Sequence, residues 1–230
     1  MKVAVILASA GKGKRLGLGI DKPFVNLGGK PLLFYSIETF LKIDRYIKQI
    51  VIVCRKKYFS LIRRNFSSSK IILIEGGRRR QDSVYFGLKV VKEDIDYVII
   101  HDGARPFVKE EKVEKIVKYL RKGYAGVILG LPENDCLKLV KKGIAKKTIE
   151  RRGIYRIQTP QGFKRKVLLD AYQRFRKRKV YDDSQFLEFV GKRVKIVEGD
   201  YLNIKITYPQ DLILGELILK IRDEKKFSKG

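Results

Sequence analysis

The chain has no tryptophan, one methionine, one histidine and two cysteines. Cys54 and Cys136 stand alone with no CxxC pair, which excludes a disulfide framework and a zinc site of ordinary composition. Both read as small core-type residues. Amides are scarce, seven Gln and four Asn, beside many Lys, Arg and Glu, a composition that points to a heat-adapted protein. No apolar run approaches the roughly 20 residues of a membrane span. The first apolar stretch, 3–10, runs straight into a glycine-rich basic loop, unlike a signal peptide, so the chain is expected to be cytoplasmic. With 44% hydrophobic residues, 12 Phe and 12 Tyr, global disorder is excluded. A length of 230 residues favours one domain.

Acids are also few: 25 Asp+Glu face 52 Lys+Arg, a net charge of +27. Residues 141–180 carry 15 Lys+Arg and two acids, Glu150 and Asp170. Signatures of RNP, zinc-finger and basic-zipper modules are absent. The charge fits either a solvated basic face or a protein that handles several phosphates at once.

The hydrophobic pattern alternates between strands and helices. Buried strands are expected at 2–8 (KVAVILA), 49–54 (QIVIVC), 70–74, 96–100 and 124–129, and a further strand near 193–198. Helices are expected from Pro31, at 57–66, 81–91, 109–120, 164–177 and 183–190, and from about 208. This order predicts an α/β fold with a largely parallel sheet and right-handed crossovers. The alternation stops at 131–157. There CLKLV and KKTIE flank Lys141-Lys142-Gly143 as a hairpin with little to bury in its own subunit, expected to project and pack on a partner. The domain is expected to span 1–222, with 223–230 a frayed tail.

The loop after the first strand, Ser9-Ala10-Gly11-Lys12-Gly13-Lys14-Arg15-Leu16, lies where open α/β sheets bind ligands. It is no Walker A motif, since no Gly-Lys-Ser/Thr closes it. It is no dinucleotide fingerprint either, since Leu16 stands in place of the third glycine and Cys54 ends the second strand where an acid would hold ribose. Glycines with Lys12, Lys14, Arg15 and then Lys22 suit a triphosphate.

Gly11-x-Gly13-x-Arg15-Leu16 followed by Lys22-Pro23 resembles the entry signature of sugar-phosphate nucleotidyltransferases. Four further stretches narrow the resemblance: Gly76-Gly77-x-x-Arg80-x-x-Ser83-Val84; His101-Asp102-Gly103-Ala104-Arg105-Pro106; Gln158-Thr159-Pro160-Gln161; and Val197-Glu198-Gly199 with Asn203-Ile204-Lys205-Ile206-Thr207. In this order and spacing, over residues 2–218, the chain resembles the 2-C-methyl-D-erythritol 4-phosphate cytidylyltransferase family of non-mevalonate isoprenoid biosynthesis.

The resemblance implies a single Rossmann-like nucleotidyltransferase domain with a mostly parallel twisted sheet and a projecting β-hairpin arm. It implies CMP transfer from CTP to 2-C-methyl-D-erythritol 4-phosphate. Arg15, Lys22 and Lys205 match the catalytic cations. Ser9, Ala10, Gly11 and Gly77 match backbone contacts to the nucleotide, Gly13 and Gly103 join them, and Ser83 matches a side-chain contact to the cytosine region. Asp102, Arg105, Cys136, Arg151, Thr159, Tyr181 and Thr207 match the acceptor side, Arg151 reaching into the other subunit of a homodimer that exchanges arms over 131–157. No residue is assigned to a metal; Mg²⁺, or another divalent cation, is expected to ride mainly on the CTP phosphates. The acceptor's phosphate is already anionic, so no general base is required and His101 is expected to be structural.

Ser9, Arg78, Cys136 and Tyr181 depart from the family pattern, where Ala, Asp and, at the last two, acceptor-contacting residues are usual. Ser9 and Arg78 can still offer backbone N–H groups. Cys136 and Tyr181 leave ribitol 5-phosphate open as acceptor, because its cytidylyltransferases share most of these motifs. From a different class, a catalytically silent nucleic-acid-binding protein could use the same basic face. No membrane partner is expected.

Overall fold

The computed structural model describes the backbone of residues 1–227 and the side chains of these apart from Lys14 and 223–227. Seven strands form the main sheet: β1 (Val3–Ala8), β4 (Ile47–Cys54), β5 (Ile71–Glu75), β6 (Tyr97–Asp102), β7 (Gly126–Pro132), β10 (Tyr155–Lys164) and β11 (Val194–Glu198). A two-stranded ribbon, β2 (Asn26–Leu27) and β3 (Lys30–Pro31), precedes helix α1 (Leu32–Lys42). The remaining α-helices are α2 (Phe59–Asn65), α3 (Arg80–Lys89), α4 (Glu110–Arg121), α5 (Arg165–Phe175), α6 (Gln185–Glu188) and α7 (Pro209–Phe227). The spatial order is β11-β7-β10-β6-β1-β4-β5. Every pairing is parallel except the two made by β10. No described helix is long and apolar enough to cross a membrane.

Strand alternation divides the core between two faces. Val3, Val5 and Leu7 of β1 pack with Leu33, Phe34, Ile37 and Phe40 of α1 and with Val113 and Val117 of α4. Ala4 and Ile6 pack on the other face with Val84 and Leu88 of α3 and with Leu168, Ala171 and Tyr172 of α5. Covered on both sides, β1 can be apolar throughout, and each of its large side chains contributes roughly 1.5–3 kcal/mol by leaving water.

After β1 the chain adds β4 and β5 on one side, then returns to place β6 on the other. Ligands bind at such a switch point, beyond the carboxyl ends of the strands. Ala8 and Asp102 are register partners there, the last residues of β1 and β6.

β10 falls where only loop and helix were expected. It lies antiparallel between β6 and β7 in the middle of the sheet. Pro160 has no N–H for a ladder, and the pairing with β7 shifts register between Gln158 and Gln161 to pass it. The Thr159–Pro160 peptide is cis.

The arm is shorter than 131–157. Pro132 and Leu131 pair with Tyr155 and Arg156, so both ends of that stretch belong to the main sheet. The arm proper is β8 (Leu137–Lys141) and β9 (Ile144–Ile149), a separate two-stranded sheet. Lys142 and Gly143 join them with φ of 52° and 78°, the two positive angles of a type I′ hairpin turn. At the other end of the chain, α7 continues through Phe227, five residues into the segment expected to fray; Ser228–Gly230 lie outside the described residues.

Candidate functional site

A cavity of about 320 Å³ opens at the switch point, lined by Ala10, Gly11 and Gly13 of the first loop, Arg15, Lys22, the 77–80 turn, Ser83, Asp102 and Lys205. Six cations face it, Arg15, Lys22, Arg78, Arg79, Arg80 and Lys205, and Asp102 is the sole acid among the described lining residues. Such a wall suits a ligand with several negative charges.

Local structure brings each group there. Gly13 adopts φ +65°, and a Cβ on it would sit 3.0 Å from Lys22 Cβ, so the loop closes tightly over the lysine. The Lys22 N–H donates to the Gly11 carbonyl at 3.3 Å. Arg15 lies over the Tyr208 ring, 5.6 Å from its centroid. Lys22 makes no ion pair among the described residues. Burial, followed by the positive charges of Lys205 and Arg15, lowers its pKa to about 8.

Asp102 is held on both oxygens. Arg80 Nε donates to Oδ1 and Lys205 Nζ to Oδ2, each at 2.7 Å. Burial alone would raise its pKa, but Arg80 and Lys205 outweigh that and hold the carboxyl well below the usual range. Arg80 also reaches Asp183 Oδ2 at 2.8 Å. Burial disfavours its charged form, yet Asp102 and Asp183 keep its pKa well above that of a free guanidinium. No role was assigned to Arg80 or Asp183 from sequence. Arg80 stood in the Gly76-Gly77-x-x-Arg80 motif, which was the available signal; near Asp183 the marked position was Tyr181, two residues earlier.

Several of the expected site residues have partners within the protein. The Ser9 N–H already donates to the Val53 carbonyl at 2.8 Å. Ser9 also packs against Gly103, where a Cβ would come within 2.2 Å of its Oγ, so both residues back the first loop and neither lines the cavity. The Gly77 N–H donates to Ser83 Oγ at 3.0 Å, so Ser83 shapes the turn as well as facing the cavity.

Thr159 is not among the described residues that line the cavity. Its hydroxyl accepts the Asp102 N–H at 3.1 Å and lies 3.2 Å from His101 Nδ1. The His101 Nε2 contacts the Arg105 carbonyl at 3.0 Å, and a carbonyl only accepts. The proton is therefore assigned to Nε2, and Thr159 donates to Nδ1. The ring is fully buried against Phe40, and burial lowers its pKa to about 4. His101 is thus enclosed in the core and held at both ring nitrogens. Arg105 is not among the described lining residues and donates to the Asn203 carbonyl at 2.7 Å. Thr207 donates to the Lys205 carbonyl at 3.0 Å, bracing the lysine from outside the cavity wall.

Three acceptor-side candidates lie away from this subunit's cavity. Cys136 is exposed at the base of the arm. Arg151, at the other side of that base, donates to the Asn134 carbonyl. Tyr181 is 89% exposed on the loop before α6. The Lys14 side chain lies outside the described residues.

Among the described residues no three His, Cys, Asp or Glu side chains cluster to hold a metal. The donor set fits a cation carried by a polyphosphate, with Asp102 the one carboxylate in reach.

Residues 3–221 match the 2-C-methyl-D-erythritol 4-phosphate cytidylyltransferase family. The curated protein of that name from Clostridium botulinum (strain Loch Maree / Type A3) is 41% identical over 226 residues, 95% of this chain and 98% of its own. Its namesake from Clostridioides difficile (strain 630) is 38% identical over 96% of each. A solved structure, the 4-diphosphocytidyl-2C-methyl-D-erythritol synthase from Anaerococcus prevotii DSM 20548, superposes with a TM-score of 0.84 at 31% identity, covering 95% of this chain and 96% of that one. The 2-C-methyl-D-erythritol 4-phosphate cytidylyltransferase from Thermus thermophilus superposes at 0.79 with 27% identity, covering 96% and 100%. Sequence, length and fold agree, and the chain belongs to the 2-C-methyl-D-erythritol 4-phosphate cytidylyltransferase family.

Proposed function

We propose that the chain transfers the cytidylyl group of CTP to 2-C-methyl-D-erythritol 4-phosphate in isoprenoid biosynthesis. The observation that carries this is the convergence of Arg15, Lys22 and Lys205 on one cavity beside Asp102, in a chain of this family. An oxygen of the acceptor's phosphate attacks the α-phosphorus in line. The new P–O bond forms as the bond to the β-phosphate oxygen breaks, and pyrophosphate leaves with that electron pair. The nucleophile arrives anionic, so no protein base takes a proton from it. Arg15, Lys22 and Lys205 offset the charge that grows on the equatorial and leaving oxygens. Backbone groups of Ala10, Gly11, Gly13 and Gly77 make a close-fitting wall for the pyrimidine nucleotide, with Ser83 holding the Gly77 turn. Arg78 adds a cation beside it where the family usually has an acid.

Asp102 is the side chain that would help hold a Mg²⁺ carried on the triphosphate, and the chemistry such a cation would supply is neutralisation of phosphate charge. We place this reaction in the cytoplasm. The working unit is a homodimer in which each arm lies on the other subunit and brings Arg151, with Cys136 near it, to the acceptor's phosphate; Tyr181 borders the same acceptor from its own subunit. The arm's exposed Leu139, Val140 and Ile144 supply the apolar contact.

Pyrophosphate release measured with CTP, UTP and GTP against 2-C-methyl-D-erythritol 4-phosphate tests the proposal. CTP should be turned over at least about tenfold faster than UTP or GTP, because the pyrimidine's exocyclic amine is read by hydrogen bonds. Equal rates with all three nucleotides, or none with any, would contradict it.

A further inference from the structure

Behind Asp102 lies a second layer of charge. The Arg80 guanidinium bridges two acids, Asp102 at 2.7 Å and Asp183 at 2.8 Å. The Asp183 side chain is 0% exposed, and its other oxygen accepts the Tyr172 hydroxyl at 2.6 Å. Tyr172 is itself fixed by stacking on Phe186, with centroids 3.9 Å apart. The segment leading to Asp183 is pinned to the start of α3: Gln81 Nε2 donates to the Arg176 and Arg178 carbonyls at 2.8 and 2.9 Å. A chain of fixed groups thus runs from α5 through Asp183 and Arg80 to Asp102 and on to Lys205.

Buried ion pairs add little net stability compared with an apolar filling of the same volume. Their distinct consequence is geometric, and an arginine fork held by two carboxylates has its plane and reach set. We propose that Asp183 is a positioning residue that sets, through Arg80, where the Asp102 carboxylate holds Lys205. Without Asp183, Arg80 has one acid instead of two, is free to swing about Asp102, and drags the carboxylate away from the lysine. Resting on cytidylyl transfer at this cavity, the proposal concerns the chemical step: Asp183 is not among the described residues that line the cavity, and its side chain pairs with Arg80 and Tyr172.

Steady-state kinetics of Asp183→Asn, Asp183→Glu and Tyr172→Phe, with kcat normalised to the folded fraction from circular dichroism, decide it. Wild-type protein run alongside separates the two levels: if it releases no pyrophosphate, transfer itself fails and the variants carry no weight. With an active wild type, Asp183→Asn should lower kcat at least about tenfold while the KM for CTP stays within about threefold, since a displacement near 1 Å costs up to about 10² in rate. Asp183→Glu, which keeps the charge, should recover more than half of the loss in log kcat. Should Asp183→Asn fail to fold, Tyr172→Phe, which removes one hydroxyl and keeps the ring, decides alone: a kcat at least twofold lower supports the proposal and an unchanged kcat overturns it. A folded Asp183→Asn with kcat within twofold of wild type, or with its loss wholly in the KM for CTP, overturns it as well.

Discussion

The ammonium of Lys205 lies 2.7 Å from Asp102 Oδ2, and the other oxygen of that carboxylate is taken by Arg80. An arriving phosphate therefore meets a lysine already aimed by a carboxylate that cannot turn. Asp102→Asn removes the charge that aims it while keeping the shape. The expected loss in kcat/KM is on the order of 10²-fold, with an unchanged circular dichroism spectrum. Wild-type kcat/KM in a folded Asp102→Asn protein would remove Asp102 from the site.

Lys22→Ala and Arg15→Ala should lower kcat by about 10²–10³-fold, because the charge they face grows toward the transition state. Affinity for CTP, measured by calorimetry, should change far less. A variant with normal kcat and only a raised KM for CTP would show that its residue holds the ground state alone.

Lys22 makes the cavity sensitive to alkali. Its pKa is lowered from 10.5 to about 8, by burial first and then by Lys205 and Arg15. The unfolded chain then binds that proton more tightly than the folded one, so the charged lysine costs stability below about pH 8, and the cost is relieved as pH rises from about 8 toward 10.5. A bound triphosphate reverses the repulsion and raises the pKa again. CTP binding at pH 8.5 should therefore take up protons, seen by calorimetry in buffers of different ionisation enthalpy, and kcat/KM should fall as pH rises through about 8. Binding enthalpies independent of buffer would contradict this.

Thr159→Val separates support from contact. The hydroxyl accepts the Asp102 N–H and serves His101 Nδ1, and both would be left unpaired in the core. Urea unfolding should show a loss of about 1–3 kcal/mol. Unchanged stability with a raised KM for the acceptor would instead mark Thr159 as a substrate contact.

Much of this was legible in the chain itself, for physical reasons. β1, β4 and β6 are buried on both faces, so their β-branched runs announced them within two residues. The Lys142-Gly143 turn announced the arm, because few residues tolerate two consecutive positive φ angles. β10 was hidden: Gln158-Thr159-Pro160-Gln161 is polar and carries a proline, and the sheet accommodates it only by a shift in register. The cavity's cations were visible because a loop after a buried strand has little reason to be basic. What Arg105 and Thr159 do was not visible, since a motif shows where a side chain starts and the tertiary fold decides where it ends. Asp183 escaped for the same reason, since it meets Arg80, its link to the cavity, only through the tertiary fold.

The arm carries its own test. Leu139, Val140 and Ile144 are 55%, 55% and 60% exposed on a lone hairpin, which is marginal in water unless something covers it. With a two-fold partner covering it, each site combines Lys22 of one subunit with Arg151 of the other. Mixing inactive Lys22→Ala with inactive Arg151→Ala should then restore about a quarter of wild-type activity, since about half the random dimers are mixed and one of their two sites is intact. No recovery after exchange would contradict the shared site, and a monomer in sedimentation would contradict the dimer.

The most direct test of cytidylyl transfer at this cavity is a ³¹P NMR time course of the wild-type protein with CTP and equal amounts of 2-C-methyl-D-erythritol 4-phosphate and ribitol 5-phosphate. The account predicts that the methylerythritol phosphate resonance gives way to a nucleoside diphosphate diester and an equimolar amount of pyrophosphate, with ribitol 5-phosphate left behind. Consumption of ribitol 5-phosphate first, or CTP left intact beside both acceptors, would contradict it.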